Sequence, residues 1–186
     1  MRDQAPRIIV MGVSGSGKST IGALLATRLA LPFVEGDGLH PADNIARMRA
    51  GIALQDEDRW PWFDRVAEQL ALAEQGVVIS CSALKKAYRD YLREKAGAAL
   101  HFVFLDTASV DLPSRLQGRT GHFMPVSLIE SQLATLEAPE NEDLVLTVDA
   151  AAKPDTIMAA CINWLSKGGG MQWPQKSSKN HYKLFK

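Results

Sequence analysis

The segment Gly12-Val13-Ser14-Gly15-Ser16-Gly17-Lys18-Ser19 constrains this chain more than any other. It matches G-x-x-x-x-G-K-S, follows the apolar run Ile8-Ile9-Val10-Met11, and precedes a helical pattern with Ala23, Leu24, Leu25, Ala26 and Leu29. Glycines let the backbone curl so that successive N–H groups point at phosphate oxygens. The helix that follows adds the positive end of its dipole. Lys18 is placed to reach the β- and γ-phosphates, and the Ser19 hydroxyl to ligand Mg²⁺. Thr20, next in line, packs or caps. Gly12, Ser14, Gly15, Ser16, Gly17, Lys18, Ser19 and Thr20 are therefore expected to form a site for a nucleoside triphosphate.

A strand–loop–helix of this kind belongs in a parallel sheet, and the rest of the chain has the pattern of one. Apolar runs at 33–35, 77–81, 101–105 and 144–148 read as further strands. Helical patterns are expected at 42–50, 62–75, 83–96, 109–117, 127–136 and 154–166, with the first helix running to Ala30. Strands that are apolar throughout and alternate with helices predict an α/β fold with a five-stranded parallel sheet covered on both faces. The 186 residues suit one domain over 1–167. Residues 168–186, with three consecutive glycines and then Lys- and Ser-rich sequence, are expected to be a flexible tail.

Composition narrows the partners. Lys+Arg and Asp+Glu each number 21, so the net charge is zero and no basic excess points to nucleic acid or an anionic membrane surface. No apolar run approaches the roughly 20 residues needed to span a bilayer. The segment from Met1 to Pro6 lacks the apolar core of a secretion signal. Cys81 and Cys161 form no C-x-x-C pair. A cytoplasmic location with buried free thiols is the expectation.

A phosphate cradle does not choose the group that receives the phosphate. No N-K-x-D string or switch-like D-x-x-G is present, which weighs against a GTPase. Glu35-Gly36-Asp37 lies at the carboxyl end of the second strand, where open α/β sheets bind ligands. One of these carboxylates can support Mg²⁺ while Asp37 orients, and deprotonates, an attacking hydroxyl. Asp106 also ends an apolar run, but the metal-supporting acid is expected at Glu35 or Asp37, with Ser19 and Glu35 taken as the metal pair. In the charged segment from Asp56 to Trp62, Arg59 suits a carboxylate, Asp58 suits a helix cap, and Trp60 and Trp62 suit either core or ligand. Lys85 and Arg89 are four apart and are expected to share a helix face that holds an acidic or polyhydroxy ligand. Arg115 and Arg119, followed by Gly121 and His122, resemble a mobile lid that neutralises charge on the transferred group and excludes water.

Together, "GVSGSGKST", "EGDGLHPADNIARMRAGIALQDEDRWPW", "SCSALKKAYRDYLR", "RTGHFMP" and "SQLATLEAPENED" closely resemble the gluconokinase family of small P-loop kinases, from Ile9 to about Asp149. The resemblance implies a three-layer, nucleoside-kinase-like P-loop fold with a mobile lid. It implies ATP- and Mg²⁺-dependent phosphorylation of D-gluconate at its 6-hydroxyl, commonly by a homodimer. It further implies that Lys18, Asp37 and Arg119 are catalytic, that Asp37, His40, Arg49, Arg59, Lys85, Arg89 and His122 contact gluconate, and that Arg115 and Arg119 are lid arginines. Two positions depart from the family's usual residues: Arg47 stands for lysine and Ala53 for proline. The competing readings are a related small kinase for shikimate, a nucleotide or another sugar acid, and an inactive nucleotide-binding regulator.

Overall fold

Ile8, Ile9, Val10 and Met11 are all fully buried, so the strand they form must be covered on both sides. A computed structural model describes residues 5–97, 99–107, 112 and 127–168 of the chain. That strand, β1 (Arg7–Met11), is the centre of a parallel sheet. Its companions are β2 (Phe33–Glu35), β3 (Val77–Ser80), β4 (Leu100–Asp106) and β5 (Val145–Asp149), in the order β2-β3-β1-β4-β5. Ile9 pairs with Ile79 on one side and Phe102 on the other, which fixes the register of the three central strands.

Among the described residues six α-helices connect or follow the strands: α1 (Lys18–Leu29), α2 (Ala42–Arg49), α3 (Asp56–Leu72), α4 (Lys86–Ala96), α5 (Ser127–Thr135) and α6 (Pro154–Gly168). Successive strand side chains point to opposite faces. Ile9, Met11, Ile79, Phe102 and Phe104 accordingly join one core with Phe63, Val66 and Leu70 of α3 and Tyr88 and Leu92 of α4. Ile8, Val10, Val78, Val103 and Leu105 join a second core with Leu25 of α1 and Ile157, Cys161 and Leu165 of α6. The result is the expected three-layer α/β sandwich. Val13, Leu84, Leu112 and Ile129 form a smaller cluster that seats α5 over the loops at the carboxyl end of the sheet. Cys81 and Cys161 are free and buried, and burial raises their thiol pKa values to about 12 and about 11. Among the described residues no helix is long and apolar enough to cross a membrane.

Two helix starts differ from expectation. Helix α3 begins at Asp56, six residues before the predicted Trp62, so the charged segment is its first turns and not a loop. Gln55 caps it in a reciprocal box: the Asp58 carboxylate accepts the Gln55 N–H at 2.8 Å. Asp56, Glu57 and Asp58 favour the same end through the helix dipole, and Pro61 sits inside the helix without ending it. Helix α4 begins at Lys86, not Ala83, because Ala83 has φ 41° and the Lys86 N–H is taken by the Glu137 carboxylate at 2.6 Å. Apart from Leu112, the helix expected at 109–117 lies outside the described residues, as does the expected tail of 168–186 beyond Gly168, which ends α6.

Candidate functional site

Parallel strands carry their loops to one edge, and here that edge presents the glycine-rich loop between β1 and α1 beside the turn after β2. Within the loop, Gly12, Gly15 and Gly17 have φ of 144°, 83° and 99°, which side-chain-bearing residues rarely adopt. A Cβ on Gly12 would also stand 2.9 Å from Ser16 Oγ and 3.0 Å from the Leu105 carbonyl. Gly17 caps α1, whose first turn contains Lys18 and Ser19. Lys18 Nζ donates to the Val13 carbonyl at 3.1 Å, folding the ammonium over the loop. The Ser14 N–H donates to Gln132 Oε1 of α5 at 2.7 Å, so an oxygen already rests on a loop amide as a phosphate oxygen would. Ser16 Oγ is buried with no hydrogen-bond partner among the described residues. Inward amides, a near lysine and a buried hydroxyl fit a triphosphate.

The turn after β2 is a short 3-10 helix, Gly36–Leu39, and it is pinned at several points. The Gly36 N–H donates to Ser80 Oγ at 3.1 Å, Trp62 Nε1 donates to the Gly36 carbonyl at 2.7 Å, and Arg65 donates to the Leu39 carbonyl at 3.1 Å. Asp37 is thus held on a rigid mount. Ser80 Oγ donates in turn to the exposed Glu35 carboxylate. His40 stacks on Trp62 with ring centroids 4.0 Å apart and lies 3.4 Å from Asn44 Nδ2. Burial lowers its pKa to about 4, helped by Arg59 and Arg65 and opposed by Asp37, so the imidazole is neutral near pH 7.

A cleft open to solvent is lined by Ser14, Lys18, Asp37, His40 and Arg59 together with Trp62, Ser82, Leu84, Tyr88, Ser131, Gln132, Met48, Ala53 and Leu54. A second, shallower cleft on the other side of the loop is lined by Gly15, Ser16, Gly17, Thr20 and Ile21 and by Ala150, Ala152, Pro154 and Ile157. The glycine-rich loop therefore separates a polar, charged concavity from a largely apolar one.

Three predicted contacts lie elsewhere. Arg49 is exposed on the last turn of α2, while its neighbour Met48 reaches the cleft. Lys85 is not among the residues that line the cleft; its Nζ donates to both Asp56 oxygens at 2.9 and 2.7 Å. Arg89 is not brought to the cleft: its side chain is completely buried, paired with Glu142 and donating to the Ala83 and Leu84 carbonyls at 3.0 Å. The expected shared face of Lys85 and Arg89 fails because Lys85 is the extended residue that caps α4, so helical spacing does not apply to it. Arg115, Arg119 and His122 lie outside the described residues. Among the described residues there is no group of three or more His, Cys, Asp or Glu side chains able to hold a metal ion. Asp37 lines the same cleft as Ser14 and Lys18, and Ser19 stands in the first turn of α1. Such a sparse set suits Mg²⁺, which keeps waters and takes phosphate oxygens as ligands.

Sequence reasoning missed Tyr88 and Gln132. Tyr88 stands three residues after Lys85 in a stretch already singled out, but it packs in the core while also lining the cleft. Gln132 is 118 residues from its partner Ser14, and no local pattern marks such a contact.

A family model described as shikimate kinase matches residues 14–165. The chain is 46% identical over 159 residues to a gluconokinase of Gluconobacter oxydans (strain 621H), covering 83% of this chain and 88% of that one. It is 47% identical over 138 residues to the thermosensitive gluconokinase of Escherichia coli (strain K12), covering 73% of each. Among solved structures, a gluconokinase from Sinorhizobium meliloti 1021 superposes with a TM-score of 0.81 at 48% identity, over 90% of this chain and 95% of that one.

Proposed function

The chain belongs to the gluconokinase family, and we propose that it transfers the γ-phosphoryl group of ATP to the 6-hydroxyl of D-gluconate, giving 6-phospho-D-gluconate and ADP. The observation that carries this reading is the single cleft in which Lys18 and the Ser14 amide meet Asp37, His40 and Arg59. A phosphate-holding wall and a wall of sugar-acid partners face one space, which is what in-line transfer between two bound ligands requires.

In this mechanism the loop amides and Lys18 hold the β- and γ-phosphates. The shallow cleft lined by Thr20, Ala150, Ala152 and Ile157 suits the nucleoside end. Arg59 pairs with the gluconate carboxylate, and neutral His40 exchanges hydrogen bonds with substrate hydroxyls. Asp37 orients the 6-hydroxyl and accepts its proton as the new O–P bond forms and the bond to the β-phosphate oxygen breaks, leaving the electron pair on ADP. Ser19 and Glu35 would hold Mg²⁺, which when bound would offset the charge on the phosphates. By the same resemblance Arg115 and Arg119 would complete the charge balance, with His122 a further substrate contact. The same resemblance supports a homodimer working in the cytoplasm; light scattering on the purified protein tests the dimer.

An acceptor panel with product identification is the decisive experiment. Gluconate should be phosphorylated far faster than shikimate, nucleotides or other sugar acids, and the product should be the 6-phosphate. Shikimate turnover exceeding that of gluconate, or ATP binding with no acceptor phosphorylated, sinks the proposal.

A further inference from the structure

Arg59 and Tyr88 line one side of the cleft, and behind them Asp56 and Lys85 complete a cluster of four side chains from two helices. Asp56 and Arg59 come from the first turns of α3, and Lys85 and Tyr88 from the start of α4. The Tyr88 hydroxyl donates to Asp56 Oδ1 at 2.5 Å and accepts from Arg59 Nη1 at 2.8 Å. A phenol has one proton and two lone pairs, so giving the proton to Asp56 leaves its oxygen to receive the guanidinium. Lys85 satisfies both Asp56 oxygens, and Arg59 stands 3.6 Å from Asp56, beyond a hydrogen bond. The carboxylate is thus matched to the lysine and the phenol, and the arginine is held by the phenol. One anion against two cations leaves this corner with a net charge of about +1, facing a cleft whose other wall is the phosphate cradle.

The Tyr88 ring cannot shift to accommodate a different partner. It is 2% exposed and packs against Phe63 at 4.8 Å and Trp60 at 5.5 Å between ring centroids. Arg59 and Lys85 both lie over its face, 5.7 and 5.6 Å from the centroid. A core residue therefore sets the position of a polar atom in the cleft, which is how a site acquires fixed geometry before its ligand arrives. Burial and the bond to Asp56 raise the Tyr88 pKa, and the bonds from Lys85 and Tyr88 lower that of Asp56, so the phenol keeps its proton and Asp56 stays charged.

We propose that Tyr88 is the specificity-determining residue for the acid end of the substrate: oriented by Asp56 and Lys85, it fixes Arg59 so that a carboxylate is favoured over an uncharged polyol end. Asp56 and Lys85 are positioning residues in this scheme. The inference rests on the gluconate reading above and adds the group that selects for the acid.

The test is Tyr88→Phe, which retains the ring and removes only the hydroxyl, measured with gluconate and with glucitol, its uncharged counterpart, as acceptors. The ratio of kcat/KM for gluconate over glucitol should fall about tenfold, through a higher gluconate KM, with the KM for ATP and the melting temperature nearly unchanged. Asp56→Asn, which preserves shape and removes charge, should shift the ratio in the same direction. An unchanged ratio in Tyr88→Phe overturns the proposal while leaving the gluconate reading intact. Equal losses on both acceptors and on ATP, with a lower melting temperature, also overturn it by showing a packing role alone. A wild-type enzyme inert on gluconate overturns both readings.

Discussion

At the scale of single residues, the cleft sets a carboxylate proposed to accept a proton beside an imidazole that burial keeps neutral near pH 7. Asp37→Asn keeps the size of the side chain and removes its basicity. Turnover should fall by about 10²–10⁴-fold, as for other general bases, while ATP still binds in calorimetry. His40 makes a prediction about stability. Its folded pKa of about 4 lies below the ordinary 6.5, so the unfolded chain takes up a proton that the folded protein refuses. Stability should therefore be intact above pH 6.5 and fall as the pH drops towards 4, with a limiting slope of about 1.4 kcal/mol per pH unit. Buried His101, whose pKa burial also lowers, adds to the same trend. Urea unfolding midpoints between pH 7 and 4.5 measure the slope, and His40→Gln should make it shallower; an unaltered slope removes His40 as its source.

At the scale of elements, the site depends on how tightly the turn after β2 sits against β3. A Cβ on Gly36 would come within 2.0 Å of the Ser80 carbonyl oxygen, a backbone atom with no freedom to retreat. Gly36→Ala should destabilise the protein by at least about 1–3 kcal/mol, as overpacking does, and displace Asp37. Its turnover should fall even at temperatures where circular dichroism shows it folded. The buried Arg89–Glu142 pair makes the opposite prediction. Arg89→Lys loses a bidentate partner for Glu142 and should lower the melting temperature, with the gluconate KM nearly unchanged. These elements also show how far the sequence could be read. The strands and the glycine-rich loop were legible because apolar runs and glycines report local conformation directly. The start of α3 was legible too, in Gln55, Asp58 and the acids between them, although the expected helix begins only at Trp62. The start of α4 was not, because Glu137, 51 residues away, decides it. Arg89 was misread for a related reason: spacing gave the right helix, and only the tertiary partner Glu142 shows which way the side chain turns.

At the scale of the whole molecule, zero net charge becomes a statement about distribution. The cations Lys18, Arg59 and Lys85 gather at one edge of the sheet, while Arg89 and Arg93 are consumed by Glu142. Ligands at that edge should stabilise the folded chain by mass action. ATP with Mg²⁺ at a hundred times its dissociation constant contributes about 2.7 kcal/mol. For a chain of this length that raises the melting temperature by roughly 5–11 °C. Thermal-shift measurements should show this in the wild type and lose it in Lys18→Met; a shift of equal size in the variant would place the nucleotide elsewhere. The contact between Ser14 N–H and Gln132 gives such titrations a further meaning. The cradle of the resting protein is not bare, since a glutamine oxygen already sits on one of its amides. A phosphate oxygen that takes this amide must evict a tenant, so the measured affinity is the difference between two occupants of one seat. Because the tenant belongs to α5, the arrival of nucleotide is felt at once by a helix 118 residues further along the chain.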